Sequence, residues 1–143
     1  MEKSPIAQTL SNYRKLFILT SSADSDDLAH GGRGAFPGSA TNGWSNALVT
    51  NYISASDFRT LLTVNGKTSN TTIYKVTRTN DPMTVFLATA NLSSNGVINK
   101  PPFGLKGGAM ISVSGMIIRV YGTNTSKIED WNKLIWLTNT VQP

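Results

Sequence analysis

His30 is the only imidazole in the chain, and cysteine is absent, so acid–base or nucleophilic chemistry has few groups to draw on. A Ser–His–Asp arrangement would have to use His30, with Asp26 or Asp27 close by in sequence. No G-x-S-x-G elbow presents a serine, and the Gly-rich surroundings of His30 read as a solvated loop. Asp24, Asp26 and Asp27 have the spacing of the opening ligands of a calcium loop, yet Ala35 stands at the twelfth position where a bidentate glutamate belongs. Solvated loop carboxylates are the ordinary reading. The lysine among glycines at Gly104-Leu105-Lys106-Gly107-Gly108 lacks the spacing of a phosphate cradle and reads as a turn into a strand. Eight acidic residues, most of them expected in loops, single out no carboxylate pair for glycosidic chemistry. No catalytic residue, metal ligand or cofactor is assigned, and the chain is expected not to be an enzyme.

Without cysteine there is no disulfide framework, zinc cluster or thiol nucleophile. The formal charge is +5, but the thirteen basic residues are scattered, with Arg14–Lys15 the only adjacent pair. Nucleic-acid binding leaves a clustered basic footprint, so no nucleic-acid partner is expected. Charged residues make up only 15% of the chain, while Ser, Thr and Asn are abundant, a composition common among exported proteins. Asn70-Thr71-Thr72, Asn91-Leu92-Ser93 and Asn124-Thr125-Ser126 are formal glycosylation sequons of the kind such a composition produces by chance. Met1-Glu2-Lys3 runs directly into polar residues with no secretory leader, and no apolar run reaches the ~18–20 residues that cross a bilayer. Taken at face value this is a cytoplasmic chain; one whose leader and anchor had been cut away would read the same.

With 143 residues the chain fits one domain, residues 1–143, around a modest core. A helix is expected over about residues 5–22, with Ser4 as its N-cap and Pro5 at the first helical position. Ile6, Leu10, Tyr13 and Phe17 form its apolar stripe, whereas Leu16, Ile18 and Leu19 point elsewhere. Residues 20–43 read as a loop. Short helices follow around Trp44, Leu48 and Tyr52 and, capped by Ser56, around Phe58, Leu61 and Leu62. A β-rich part spans about residues 63–122, with strands at 72–77, 84–89, 110–113 and 116–121. The last two flank a tight turn at Ser114-Gly115. A C-terminal helix is expected over about 127–137, with Ser126 and Glu129 at capping-box spacing and Ile128, Trp131 and Leu134 or Ile135 on its apolar face. A helix followed by an antiparallel meander argues for α+β.

The segment Ala7-Gln8-Thr9-Leu10-Ser11-Asn12-Tyr13-Arg14-Lys15-Leu16 resembles the helix that follows the membrane-spanning half in bacterial type IV pilin-like and type II secretion pseudopilin-like proteins. The acidic stretch Ala23–Asp27 and the step Phe36-Pro37-Gly38 are similar to the same family, as are Asp81-Pro82, Val85–Asn91 and Lys106–Met110. The processing site and apolar anchor of that family have no counterpart here. Tyr121–Ser126 contains no carboxylate, so no calcium site is carried over. The resemblance implies a pilin-like fold whose long helix is a spine packed by Ile6, Leu10, Tyr13 and Phe17 on an antiparallel sheet. It implies a filament or pseudopilus subunit whose partners are other pilin-like subunits and the secretion or pilus machinery. It further implies a periplasmic or extracellular location, held in the inner membrane through a missing N-terminal helix before assembly, and a monomer when truncated. The alternative is a secreted or periplasmic module binding a glycan or protein through aromatics such as Trp44, Trp131 and Trp136. A small hydrolase ranks third.

Overall fold

The computed structural model describes residues 4–125, 128 and 131–142. Its first element is helix α1, Pro5–Ala29. Ser4, in extended conformation, caps it by accepting the amide hydrogen of Ala7 at 3.1 Å, and Pro5 occupies a position whose N–H would be unpaired in any case. The helix runs seven residues beyond the expected end at 22. Ser and Asp in its last turns are indifferent helix formers, and aspartates near a C-terminus oppose the helix dipole. Tertiary hydrogen bonds from those aspartates, described below, hold these turns together.

The buried seam of α1 is Thr9, Tyr13, Leu16, Thr20 and Ala23 with Asp24, at intervals of four, three, four and three. It is turned about 60° from the Ile6–Leu10–Tyr13–Phe17 stripe at 100° per residue. Tyr13 belongs to both and is fully buried, whereas Ile6, Leu10 and Phe17 pack along the flank of the core, partly buried. Leu16, expected to point away, is fully buried; Ile18 is on the outside, 51% exposed. Threonine enters the seam because its hydroxyl is satisfied within the helix. Thr9 donates to the Pro5 carbonyl at 2.9 Å and Thr20 to the Leu16 carbonyl at 2.7 Å, leaving a methyl to face the core.

Helices α2, Trp44–Leu48, and α3, Ala55–Leu62, fill the connecting region. Ser54, and not Ser56, caps α3 by accepting from the Asp57 amide at 3.1 Å. Ser56 instead lies inside the first turn, one residue past the helix start. Trp44 meets Phe58 and Phe86 edge-on at centroid separations of 5.1 and 5.5 Å, which joins both short helices to the sheet.

Among the described residues seven strands follow: β1 Thr71–Tyr74, β2 Val85–Thr89, β3 Leu92–Ser93, β4 Gly96–Val97, β5 Gly107–Ser112, β6 Ile117–Tyr121 and β7 Thr140–Val141. Five form an antiparallel sheet in the order β6-β5-β2-β1-β7, while β3 and β4 make a separate small hairpin. The β5–β6 turn falls at Ser114-Gly115 as expected, closed by the Ser112 amide donating to the Met116 carbonyl. Phe17 lays its ring against Gly115 at the same place. Gly107 opens β5 at φ +115°, and any side chain there would collide with the Val120 carbonyl oxygen. The protein is therefore α+β.

Alternation along the strands gives the sheet two faces. Thr71 faces α1, where its hydroxyl lies 2.8 Å from that of Tyr13. Tyr74 faces the other way and meets Trp136 edge-on at 5.9 Å. That second face is covered by the C-terminal segment, and here the expectation of a helix over 127–137 is corrected. Trp131–Lys133 is a single 3₁₀ turn, Ile135 bridges Thr84 in parallel, and β7 pairs with β1. The Ile135 carbonyl accepts from the Val85 amide and the Ile135 amide donates to the Met83 carbonyl, so sheet pairing takes the backbone groups a helix would have used. Ser126 and Glu129 lie outside the described residues.

Candidate functional site

A cleft of about 680 Å³ lies where the end of α1 meets the 34–43 loop, α2 and Tyr52. The three aspartates expected in a loop sit on the last turns of α1 and diverge. Asp24 turns inward and accepts the Ala35 amide at 2.7 Å, with its other oxygen 3.6 Å from Arg78. Asp27 accepts the Gly34 amide at 2.9 Å. Asp26 turns into the cleft and accepts the Tyr52 hydroxyl. Two of the three carboxylates are thus ties that fold the glycine-rich loop back onto the helix. No cluster of three or more potential metal ligands occurs among the described residues.

His30 is the C-cap residue of α1, at the helix boundary and not in the loop beyond it. Its Nδ1 lies 2.7 Å from the Asp26 carbonyl oxygen, which can only accept, so Nδ1 carries the proton. The ring faces a main-chain carbonyl in place of the carboxylate a triad would need. The Asp26 carboxylate, bonded to the Tyr52 hydroxyl, pushes the phenol above its ordinary value, and desolvation and the charges of Asp26 and Asp27 act in the same direction. Asn42, Asn46 and Asn51 complete a rim of amides, and no lysine or arginine lines the cleft.

The aromatic residues named for a binding module are mostly withdrawn from the surface. Trp44 is buried and donates its Nε1–H to Thr20 Oγ1 at 3.0 Å, Trp131 is buried, and Trp136 is half-buried. Among the sequons, Asn70 and Asn91 are buried. Asn91 donates its amide hydrogens to the Gly104 and Gly107 carbonyls, which makes it the brace of the turn that precedes β5.

The side of α1 opposite its seam carries Arg14, Lys15, Ile18, Ser22 and Ser25, all exposed. Asp24 and Asp27 acquired their roles through partners eleven and seven residues downstream, and the sequence signal for this is the glycine run itself. A loop of Gly31, Gly32 and Gly34 leaves its amides open to nearby carboxylates. A scan against protein-family models and searches of curated proteins and solved structures returned no match.

Proposed function

We propose that this chain is the extracytoplasmic part of a pilin-like or pseudopilin-like subunit that stacks with other such subunits in protein secretion or surface-filament formation. One observation carries the reading: a 25-residue helix is buried along one side and open along the other from Arg14 to Ser25. An outward face mixing cations, serines and one exposed isoleucine suits contact with a neighbouring helix. In this reading the subunit is anchored in the inner membrane by an apolar segment ahead of α1, and the part seen here is a monomer by itself.

Because the chain has no cysteine, single cysteines introduced on α1 give an unambiguous test. With the protein expressed behind an apolar anchor, Gln8→Cys and Lys15→Cys should yield disulfide-linked pairs in cells. In the Gln8→Cys protein, a charge reversal at Lys15 should weaken the pairing while the domain stays folded. Absence of helix-to-helix cross-links at both positions overturns the reading.

The cleft favours a second reading, a binding module for a polar ligand. Asp26, His30, Asn46, Asn51 and Tyr52 offer hydrogen-bonding groups of both kinds around it. It lacks an exposed tryptophan platform, and so ranks below the assembly reading.

A further inference from the structure

Strand β6 is an edge of the main sheet, with β5 on one side and, among the described residues, no strand on the other. The Ser112 amide donates to Met116 and the Gly122 amide donates to Lys106. These bonds fix the alternation of the β5–β6 ladder, so that Met110 with Ile118 and Gly108 with Val120 are the hydrogen-bonded pairs. The main-chain N–H and C=O groups of Ile117, Arg119 and Tyr121 consequently point away from β5, along the open edge. Five residues of strand expose about 17 Å of pairing surface.

The side chains of the same three residues form one row, on the α1 side of the sheet, where Arg119 Nη2 donates to Ser4 Oγ at 3.3 Å. Ile117 is 37% and Tyr121 69% exposed, while Ile118 and Val120 on the alternate row are buried. Between the two exposed side chains, the Arg119 guanidinium stacks over the Tyr121 ring at 4.6 Å. It has no carboxylate within ion-pair distance among the described residues, and its Nε is buried without an acceptor.

We infer that β6 is a docking edge for an extended segment of another protein, added as a further strand with an acidic residue opposite Arg119 and apolar residues opposite Ile117 and Tyr121. Residues directly opposite on paired strands share a face, so the partner's sequence is apolar-x-acidic-x-apolar, a period of two. A second copy of β6 is the poorer occupant. Antiparallel pairing centred on Arg119 would set two arginines against each other, and like charges directly opposite are destabilising. The inference goes beyond the assembly reading and does not rest on it, because it concerns the sheet edge and not the outward face of α1.

The probe is the capped peptide acetyl-Val-Thr-Glu-Thr-Val-amide, whose side-chain pattern is the same in either strand direction, with Lys in place of Glu as control. Titrated to about 5 mM, it should shift and slow the exchange of the Ile117, Arg119 and Tyr121 amides, binding about tenfold tighter than the Lys form. Arg119→Glu should reverse that preference. No effect at these amides, or equal binding of both peptides, overturns the inference. Concentration-dependent protection of the same amides without peptide assigns the edge to a second copy and overturns it too.

Discussion

Thr20 and Trp44 provide the sharpest check on how α1 is held. Thr20 Oγ1 donates to the Leu16 carbonyl and accepts the Trp44 indole N–H, and both residues are buried. Thr20→Val keeps the β-branched shape and nearly the same helix propensity, but leaves the indole N–H without an acceptor. The Leu16 carbonyl keeps its position in the helical ladder, so losing the threonine's own bond is minor. The unsatisfied indole sets the cost, about 1–3 kcal/mol. Denaturant unfolding with unchanged m-values measures it. Trp44→Phe is costly by itself, because the indole fills the contact with Phe58 and Phe86. In that background, however, Thr20→Val should cost no more than about 0.5 kcal/mol, since the donor is gone. A cost below that figure in the native background, or the same cost in both, would refute the argument.

Two further expectations concern the same helix. Leu16→Ala should cost about 2–5 kcal/mol and Leu10→Ala distinctly less, because Leu16 is fully buried and Leu10 only partly; unfolding curves of the two variants decide the order. Burial raises the Tyr13 phenol far above its ordinary value, with a smaller opposing effect from the hydrogen bond with Thr71. A phenol whose folded pKa is raised stabilises fully below about pH 10, the unfolded value, and that contribution is lost as pH rises above it at about 1.4 kcal/mol per unit. Tyr13→Phe should therefore flatten the fall of stability above pH 10 in alkaline unfolding series.

Elements governed by local chemistry were legible in the sequence. Ser4-Pro5 announced the start of α1, Ser114-Gly115 announced the β5–β6 turn, and the Val85–Thr89 run announced a strand that is buried throughout. What escaped depended on distant partners. The seam of α1 was misjudged by about 60° because a count of apolar residues passes over Thr9 and Thr20, whose hydroxyls the helix satisfies internally. The last turns of α1 read as loop because Asp24, Asp26 and Asp27 are poor helix formers. Their tertiary acceptor roles toward Ala35, Tyr52 and Gly34 outweigh that preference. The C-terminal segment has a helical apolar spacing at Trp131 and Leu134, but its backbone is claimed by Met83, Val85 and β1. The cleft was invisible for the same reason, since it exists only where α1, the glycine loop and α2 converge.

The outward face of α1 limits how assembly could work. Ile18 is its exposed large apolar residue, and covering the remaining half of that side chain is worth only about 1–1.5 kcal/mol. Association costs an estimated 4–15 kcal/mol in lost translational and rotational freedom. Exposed pairs from Arg14 and Lys15 add little, roughly 0–1 kcal/mol each. The outward face can therefore set the register of a neighbouring helix but cannot hold it there. In the assembly reading the energy must come from apolar surface outside these residues, which a membrane anchor would supply. Charge changes along Arg14, Lys15 and Ile18 would then alter which neighbour fits and leave the stability of the domain nearly untouched, because none of these side chains belongs to the buried seam. The β6 edge works differently: its open main-chain groups contribute binding energy of their own, with Arg119 selecting the partner.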